Sequence, residues 1–322
     1  MKILQVTAPR EFVIRDLPVP RPGAGEVLMR INAVTTCPQW DLHLRHNEPM
    51  FIGHHFHYPY TPGQPGHEAT GVVEAVGPGV TSVAPGDRVS AWRDPGHDVP
   101  GCYAQYVVHR AENVIRVPDG FPDEAVAPVE LAMCMGVVFR MLKELNALRG
   151  RTVGVSGLGP AGLVAIQMAR AEGATTVVGF DPLPGRRELA GRLGAAACYD
   201  PRAASPGTAA APPDLRFQTA VDCVGAQSSV AFLMDRTDDV LALFGVQRED
   251  YIYRPRHTRL TLCGYRAHSR ESAEYSVGLI REGRLNLAPL VTHKMPLARY
   301  AEGIDLLEAQ QAIKVCFLPW AL

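Results

Sequence analysis

The segment 151–181, RTVGVSGLGPAGLVAIQMARAEGATTVVGFD, constrains the fold of this chain more than any other. A β-branched run at 152–156 enters a glycine-rich turn, an apolar helical stretch follows at 161–172, and a second β-branched run spans 176–180. That is one βαβ unit, the building block of a parallel sheet. Gly157, Gly159 and Gly162 have GxGxxG spacing in the strand-to-helix turn. The first allows a tight turn, the second lets backbone approach a pyrophosphate, and the third lets helix and strand pack closely. The helix start adds free N–H donors and the positive end of its dipole. Asp181, 24 residues after Gly157, closes the second strand, where a carboxylate accepts hydrogen bonds from an adenosine ribose. This favours NAD over NADP, whose 2'-phosphate would meet a negative charge. Arg186 and Arg187 stand just behind and could pair with such a phosphate instead. The plainer alternative is that the glycines only shape a turn and Asp181 caps it.

Residues 1 to about 120 have a different texture, with short β-branched runs such as EVLMRINAV and TGVVEAVG separated by Pro-Gly turns. That pattern predicts an antiparallel, barrel-like β domain. From Pro122 onward, AVAPVELAMCMGVVFRMLKEL reads as one long helix. Apolar runs at 219–224, 240–246 and 260–264 continue the parallel sheet, and DPRAASPGTAAAPPD at 200–214 reads as a mobile surface loop. The end of the chain predicts a helix near 297–309 and a strand at 313–318 that returns to the first domain. The expected organisation is a catalytic domain at 1–125 and 283–322, interrupted by a dinucleotide-binding domain at 126–282, with no internal repeat. A length of 322 residues with 47% hydrophobic and 20% charged residues suits two such cores.

Composition narrows the partners. Thirty-two basic against 33 acidic residues leave a net charge of −1, with no broad positive field for nucleic acid. No run reaches the ~20 consecutive apolar residues that cross a bilayer, and MKILQVTAPREF lacks the apolar segment of a secretion signal, so a cytoplasmic protein without membrane partners is expected. The seven cysteines, at 37, 102, 134, 198, 223, 263 and 316, form no CxxC pair. A four-cysteine structural zinc site is therefore not expected.

Three other residues are of the mixed kind a catalytic zinc uses: Cys37 in TTCPQWDLH, and His67 and Glu68 in GQPGHEATG. Glu130, a carboxylate in the apolar stretch APVELAMC, needs a metal, a cation or water if buried. Residue types alone leave a bland reading open, with a core thiol, a turn histidine and a helix-cap carboxylate.

Taken in order, GHE at 66–68, VGPGVTSVAPGDRV at 76–89, GLGPAG at 157–162, THKMPL at 292–297 and AIKV at 312–315 resemble the zinc-containing medium-chain alcohol and polyol dehydrogenases over nearly the whole chain. The resemblance implies a Rossmann-type doubly wound parallel sheet inserted in a GroES-like β-barrel domain, and interconversion of an alcohol or polyol and its carbonyl compound by hydride transfer. It implies that Cys37 and His67 bind one catalytic zinc, with Glu68 at or near the ion and Glu130 as the third protein ligand; Cys134 is the alternative third ligand. It further implies that His43 relays a proton, that Asp41 orients His67, that Lys314 pairs with the cofactor phosphates, and that Gly225, Gly245 and Val246 approach the dinucleotide. A homodimer or homotetramer is expected by the same resemblance.

The chain departs from the pattern in three places. CPQWDLH has one residue more than the usual CGTDLH and no Ser or Thr two residues after the cysteine, which puts the relay hydroxyl in doubt. SAWRDPGHDVPGCYAQ is too short and too poor in cysteine for a structural zinc lobe, so a single ion is expected. The helix from Glu130 also runs about three residues longer than the pattern expects before the βαβ strand, which bears on the choice of third ligand. FIGHHFHYPY, with Trp40, Phe51 and Trp92, suggests an aromatic substrate site for something larger than ethanol, in preference to a second metal at His54, His55 and His57. Two other functions fit parts of the sequence: a zinc-free NADPH quinone or enoyl reductase, and a non-catalytic dinucleotide sensor.

Overall fold

The computed structural model describes residues 1–203 and 210–321. Of the expected loop at 200–214, residues 204–209 lie outside the described residues. In chain order the elements are β1 (Lys2–Ala8), β2 (Glu11–Asp16), β3 (Glu26–Thr35), α1 (Pro38–His46), β4 (Glu68–Val76), β5 (Arg88–Ala91), β6 (Tyr106–Arg110), β7 (Val114–Arg116), α2 (Asp123–Val126) and α3 (Val129–Glu144). There follow β8 (Thr152–Ser156), α4 (Pro160–Ala171), β9 (Thr176–Phe180), α5 (Pro184–Arg192), β10 (Ala197–Tyr199), β11 (Phe217–Asp222), α6 (Gln227–Met234), β12 (Thr237–Leu243), β13 (Thr261–Gly264), α7 (Arg270–Arg281), β14 (Val291–Pro296), α8 (Tyr300–Glu308) and β15 (Lys314–Leu318). They form two compact units, Met1–Leu131 with Asn286–Leu322, and Ala132–Leu285.

The first unit is built on the alternating strands of the N-terminal region. β3 carries the burial pattern of a strand packed on both faces and pairs antiparallel with β4, β6 and β15. The sheet runs β14-β15-β3-β4-β5-β7, and only β14–β15 is parallel. Its core gathers Val27, Met29 and Ile31 of β3 with Tyr103, Tyr300 and Phe317. The last three rings pack at centroid distances of 5.4–5.6 Å. Full burial of such a ring stabilises the fold by roughly 1.5–3 kcal/mol, and the hydroxyls of Tyr103 and Tyr300 are held in the interior on Asp41.

The second unit is an all-parallel six-stranded sheet, order β10-β9-β8-β11-β12-β13. The strand order reverses at β8/β11, with crossover helices α4 and α5 on one side of that point in the sequence and α6 on the other. In such open sheets ligands bind outside the carboxyl ends of the strands where the order reverses. The first βαβ unit lies within a residue of its expected bounds. The stretch from Pro122 does not form one helix: it divides into α2 and α3 around Ala127 and Pro128. Pro128 has no N–H to donate to the preceding turn, so the hydrogen-bond ladder is interrupted there although Ala127 keeps helical backbone, with φ of −60° and ψ of −41°. Asp123–Glu144 is long and apolar enough to cross a membrane by composition, but most of its apolar surface is buried in the protein, as in a core helix.

Candidate metal and dinucleotide sites

Within the first unit, strand ends and one helix start converge. Thr35 ends β3 opposite Glu68, which opens β4. Two residues further on, Cys37 caps the N-terminus of α1, where Pro38 begins the helix. One ligand atom each of Cys37, His67 and Glu68 lies within 4.8 Å of the others. Nδ1 of His67 lies 2.9 Å from the Pro65 carbonyl oxygen and donates to it, which leaves Nε2 as the nitrogen facing the group. Glu130 Oε2 stands 3.8 Å from that nitrogen, and its residue is only 6% exposed. Burial works against a charged His67, yet a hydrogen bond with Cys37 and the charges of Asp94, Cys37 and Glu130 raise its pKa well above the ordinary value. The cluster therefore attracts positive charge. Sulfur, imidazole and carboxylate donors around one point are the set that zinc takes, so the residues present fit that ion.

Lys314 and Asp41 do not take their expected places. The ammonium of Lys314 donates to Glu68 Oε1, Glu68 Oε2 and the Thr36 carbonyl, each at 2.6 Å, and the lysine is 1% exposed. All three of its donors are used, leaving none for a cofactor phosphate. Glu68 also accepts from Thr35 Oγ1 at 3.0 Å. Its pKa is raised, first by burial, with Lys314 and His67 opposing. Asp41 accepts from Tyr103 and Tyr300 hydroxyls at 2.9 Å and from the Cys37 backbone N–H at 2.9 Å, so it does not orient His67. The extra residue in CPQWDLH sets it four positions after Cys37, one helical turn along, from where its carboxylate folds back onto the helix's own start. Burial pushes its pKa up to about 6 despite those hydrogen bonds. His43, later on α1, has Nδ1 3.2 Å from the Glu48 carbonyl. Trp40 fills the position next to Asp41 and stacks on His97 at 3.8 Å.

Asp94, Tyr103 and Tyr300 were not singled out from the sequence. Asp94 Oδ2 lies 3.7 Å from His67 Nδ1 and 3.2 Å from His97 Nε2. Burial alone would raise its pKa, but His97, the charge of His67 and the Gly96 N–H hold it well below the usual carboxylate range. No local motif marks Tyr103 and Tyr300, because they meet Asp41 from distant parts of the chain, and Asp94 is 27 residues from His67.

In the second unit the glycine turn follows β8. Gly157 has φ of 83°, a left-handed conformation open to glycine, and Gly159 caps α4. A Cβ at Gly162 would meet the Gly157 carbonyl oxygen at 1.8 Å. Asp181 follows β9; it accepts from Leu158 N at 2.8 Å and Leu183 N at 2.9 Å, with Arg186 Nη1 3.6 Å away. At the ends of β11 and β12, Gly225 N donates to Asp222 Oδ2 at 2.8 Å and Gly245 N to the Asp222 carbonyl at 2.9 Å, and Gly225 packs against the Val246 carbonyl. These elements share the carboxyl edge of the sheet beside the β8/β11 reversal. Gly162→Ala forces that turn apart; NADH binding, read by fluorescence titration, should weaken at least about tenfold, equivalent to roughly 1.4 kcal/mol.

A nucleotide-type parallel sheet and a β unit with a sulfur, nitrogen and oxygen ligand set together define a dehydrogenase-like oxidoreductase. Comparison with known proteins agrees. Residues 23–119 match the alcohol dehydrogenase GroES-like domain and residues 160–277 the zinc-binding dehydrogenase domain. The chain is 35% identical to an alcohol dehydrogenase of Geobacillus stearothermophilus over 214 aligned positions, 59% of this chain and 60% of that enzyme. It is 28% identical to an L-threonine 3-dehydrogenase of Anaeromyxobacter sp. over 356 aligned positions, 96% of each. The crystal structure of galactitol-1-phosphate dehydrogenase from Escherichia coli shares the fold, with a TM-score of 0.81 at 22% identity over 99% of this chain and 100% of that one. The protein belongs to the zinc-type medium-chain dehydrogenase/reductase family.

Proposed function

We propose that this oxidoreductase is a zinc-dependent, NAD-linked dehydrogenase that interconverts an alcohol or polyol and its aldehyde or ketone, using one ion per chain. The observation that carries the reading is the meeting of Cys37, His67 and Glu68 ligand atoms within 4.8 Å. Zinc held there supplies a Lewis acid that polarises a hydroxyl or carbonyl oxygen and brings a hydroxyl pKa toward neutrality. The chain's own residues do the rest. Cys37 and His67 Nε2 present the soft and borderline donors, while Glu68 and Glu130 offer carboxylate oxygens. The Asp41–Tyr103–Tyr300 network fixes the backbone of Cys37, and Pro65 fixes the ring of His67. In the second unit, the glycine turn and the start of α4 offer N–H groups to a pyrophosphate, and the carboxylate of Asp181 disfavours a 2'-phosphate.

The test is a spectrophotometric screen of alcohols, sugars, polyols and threonine with NAD and with NADP, run with and without a chelator. Chelator-sensitive reduction of NAD by a secondary alcohol or polyol is the expected result. A second reading, a zinc-free reductase, draws support from the Lys314–Glu68 pair, which neutralises one candidate ligand without an ion. Chelator-insensitive oxidation of NADPH by a quinone or enoyl substrate would establish it.

A further inference from the structure

We propose that Asp94, beside His97, is the outer carboxylate whose negative charge lies behind the ring of the metal ligand His67 and strengthens its grip on the ion; this rests on the zinc reading above. Nδ1 of His67 points away from the ligand group, and two oxygens face it: the Pro65 carbonyl at 2.9 Å and Asp94 Oδ2 at 3.7 Å. The carbonyl takes the hydrogen bond. The carboxylate supplies what a carbonyl lacks, a full negative charge, and does so where screening is weak, since the His67 side chain is 4% exposed and that of Asp94 13%. A charge behind the ring makes Nε2 a stronger donor to an ion in front of it.

The position of Asp94 is built. Its other oxygen accepts from Gly96 N at 2.8 Å, and His97 Nε2 lies 3.2 Å from Oδ2. The His97 ring is stacked on Trp40 at 3.8 Å with an interplanar angle of 29°. Gln64 ties the same loop down, donating to the carbonyls of Gly96 and Val99 at 3.0 and 3.1 Å. Trp40 and Gln64 belong to the two segments that carry Cys37 and His67, so the loop is pinned to the ligands' own backbone. The two departures in the sequence meet here: the insertion in CPQWDLH withdraws Asp41 into the Tyr103–Tyr300 pocket, and the shortened loop after β5 delivers Asp94 in its stead.

Zinc affinity, measured by competition with a chromophoric chelator on the purified full chain, decides this. Asp94→Asn keeps the shape and removes the charge. It should weaken zinc binding about 10- to 100-fold and shift the ligand-field bands of the cobalt(II)-substituted protein, whereas Asp94→Glu restores most of the affinity. His97→Leu, which frees the carboxylate, should cost a smaller factor in the same direction and serves if Asp94→Asn does not fold. Wild-type affinity and an unchanged cobalt spectrum in Asp94→Asn overturn the assignment of Asp94 alone. A wild-type chain that binds no zinc overturns the metal reading and this inference together.

Discussion

If the proposed zinc site is right, Cys37→Ala is expected to strip zinc from the purified protein and to lower kcat/KM by at least about a thousandfold, while NADH binding stays at the wild-type level. The magnitude follows from the several kcal/mol that a Lewis acid contributes, at about 1.4 kcal/mol for each factor of ten in rate. The specificity follows from placement. Cys37 caps α1 in the first unit, and the glycine turn proposed to receive the dinucleotide lies in the second, so the variant should leave that turn intact. Metal content by plasma emission, fluorescence titration with NADH and steady-state rates together check the result. Cys263→Ala, on strand β13, is the control and should retain both zinc and turnover. Full activity in Cys37→Ala would refute the metal assignment.

What could be read from the sequence divides along physical lines. The βαβ unit was legible because period, turn chemistry and helix start are all local, and Gly157, Gly159 and Gly162 act within one turn of backbone. Cys37, His67 and Glu68 were legible as candidates because each sits in a short motif, and the fold brings their ligand atoms together. The groups that hold them were not. Asp94 is 27 residues from His67, Tyr300 is 259 from Asp41, and Lys314 is 246 from Glu68. The single inserted residue in CPQWDLH changed the partner of Asp41, because on a helix one position turns a side chain by about 100°. Motif matching carries a residue's identity across such an insertion but not its direction. For Lys314 the failure was of another kind: a basic residue near the chain end suits a phosphate or a buried carboxylate equally well, and only the sheet register β15–β3–β4 selects Glu68.

Lys314→Met tests that register most severely. Both members of the pair are about 1% exposed, and the amine makes every strong contact available to it, two to Glu68 and one to the Thr36 carbonyl. Removing one partner of a buried ion pair leaves the other uncompensated, which costs about 3–5 kcal/mol. Denaturant unfolding of the chelated protein at neutral pH should show a loss of that size. The loss is expected to depend on pH. Glu68 already titrates above the ordinary carboxylate range, chiefly through burial, and Lys314 is the largest influence holding it down. Without the lysine its folded pKa rises further, so the native state keeps a proton that the unfolded chain releases. The deficit is then smallest in acid, near the unfolded carboxylate pKa, and grows as pH rises toward neutrality. Glu68→Gln combined with Lys314→Met removes both charges and should recover more than half of the loss, because an uncharged pair carries no buried unpaired ion. If the single variant were as stable as wild type and insensitive to pH, the amine would have to face solvent or a ligand, and the cofactor-phosphate role would regain its case.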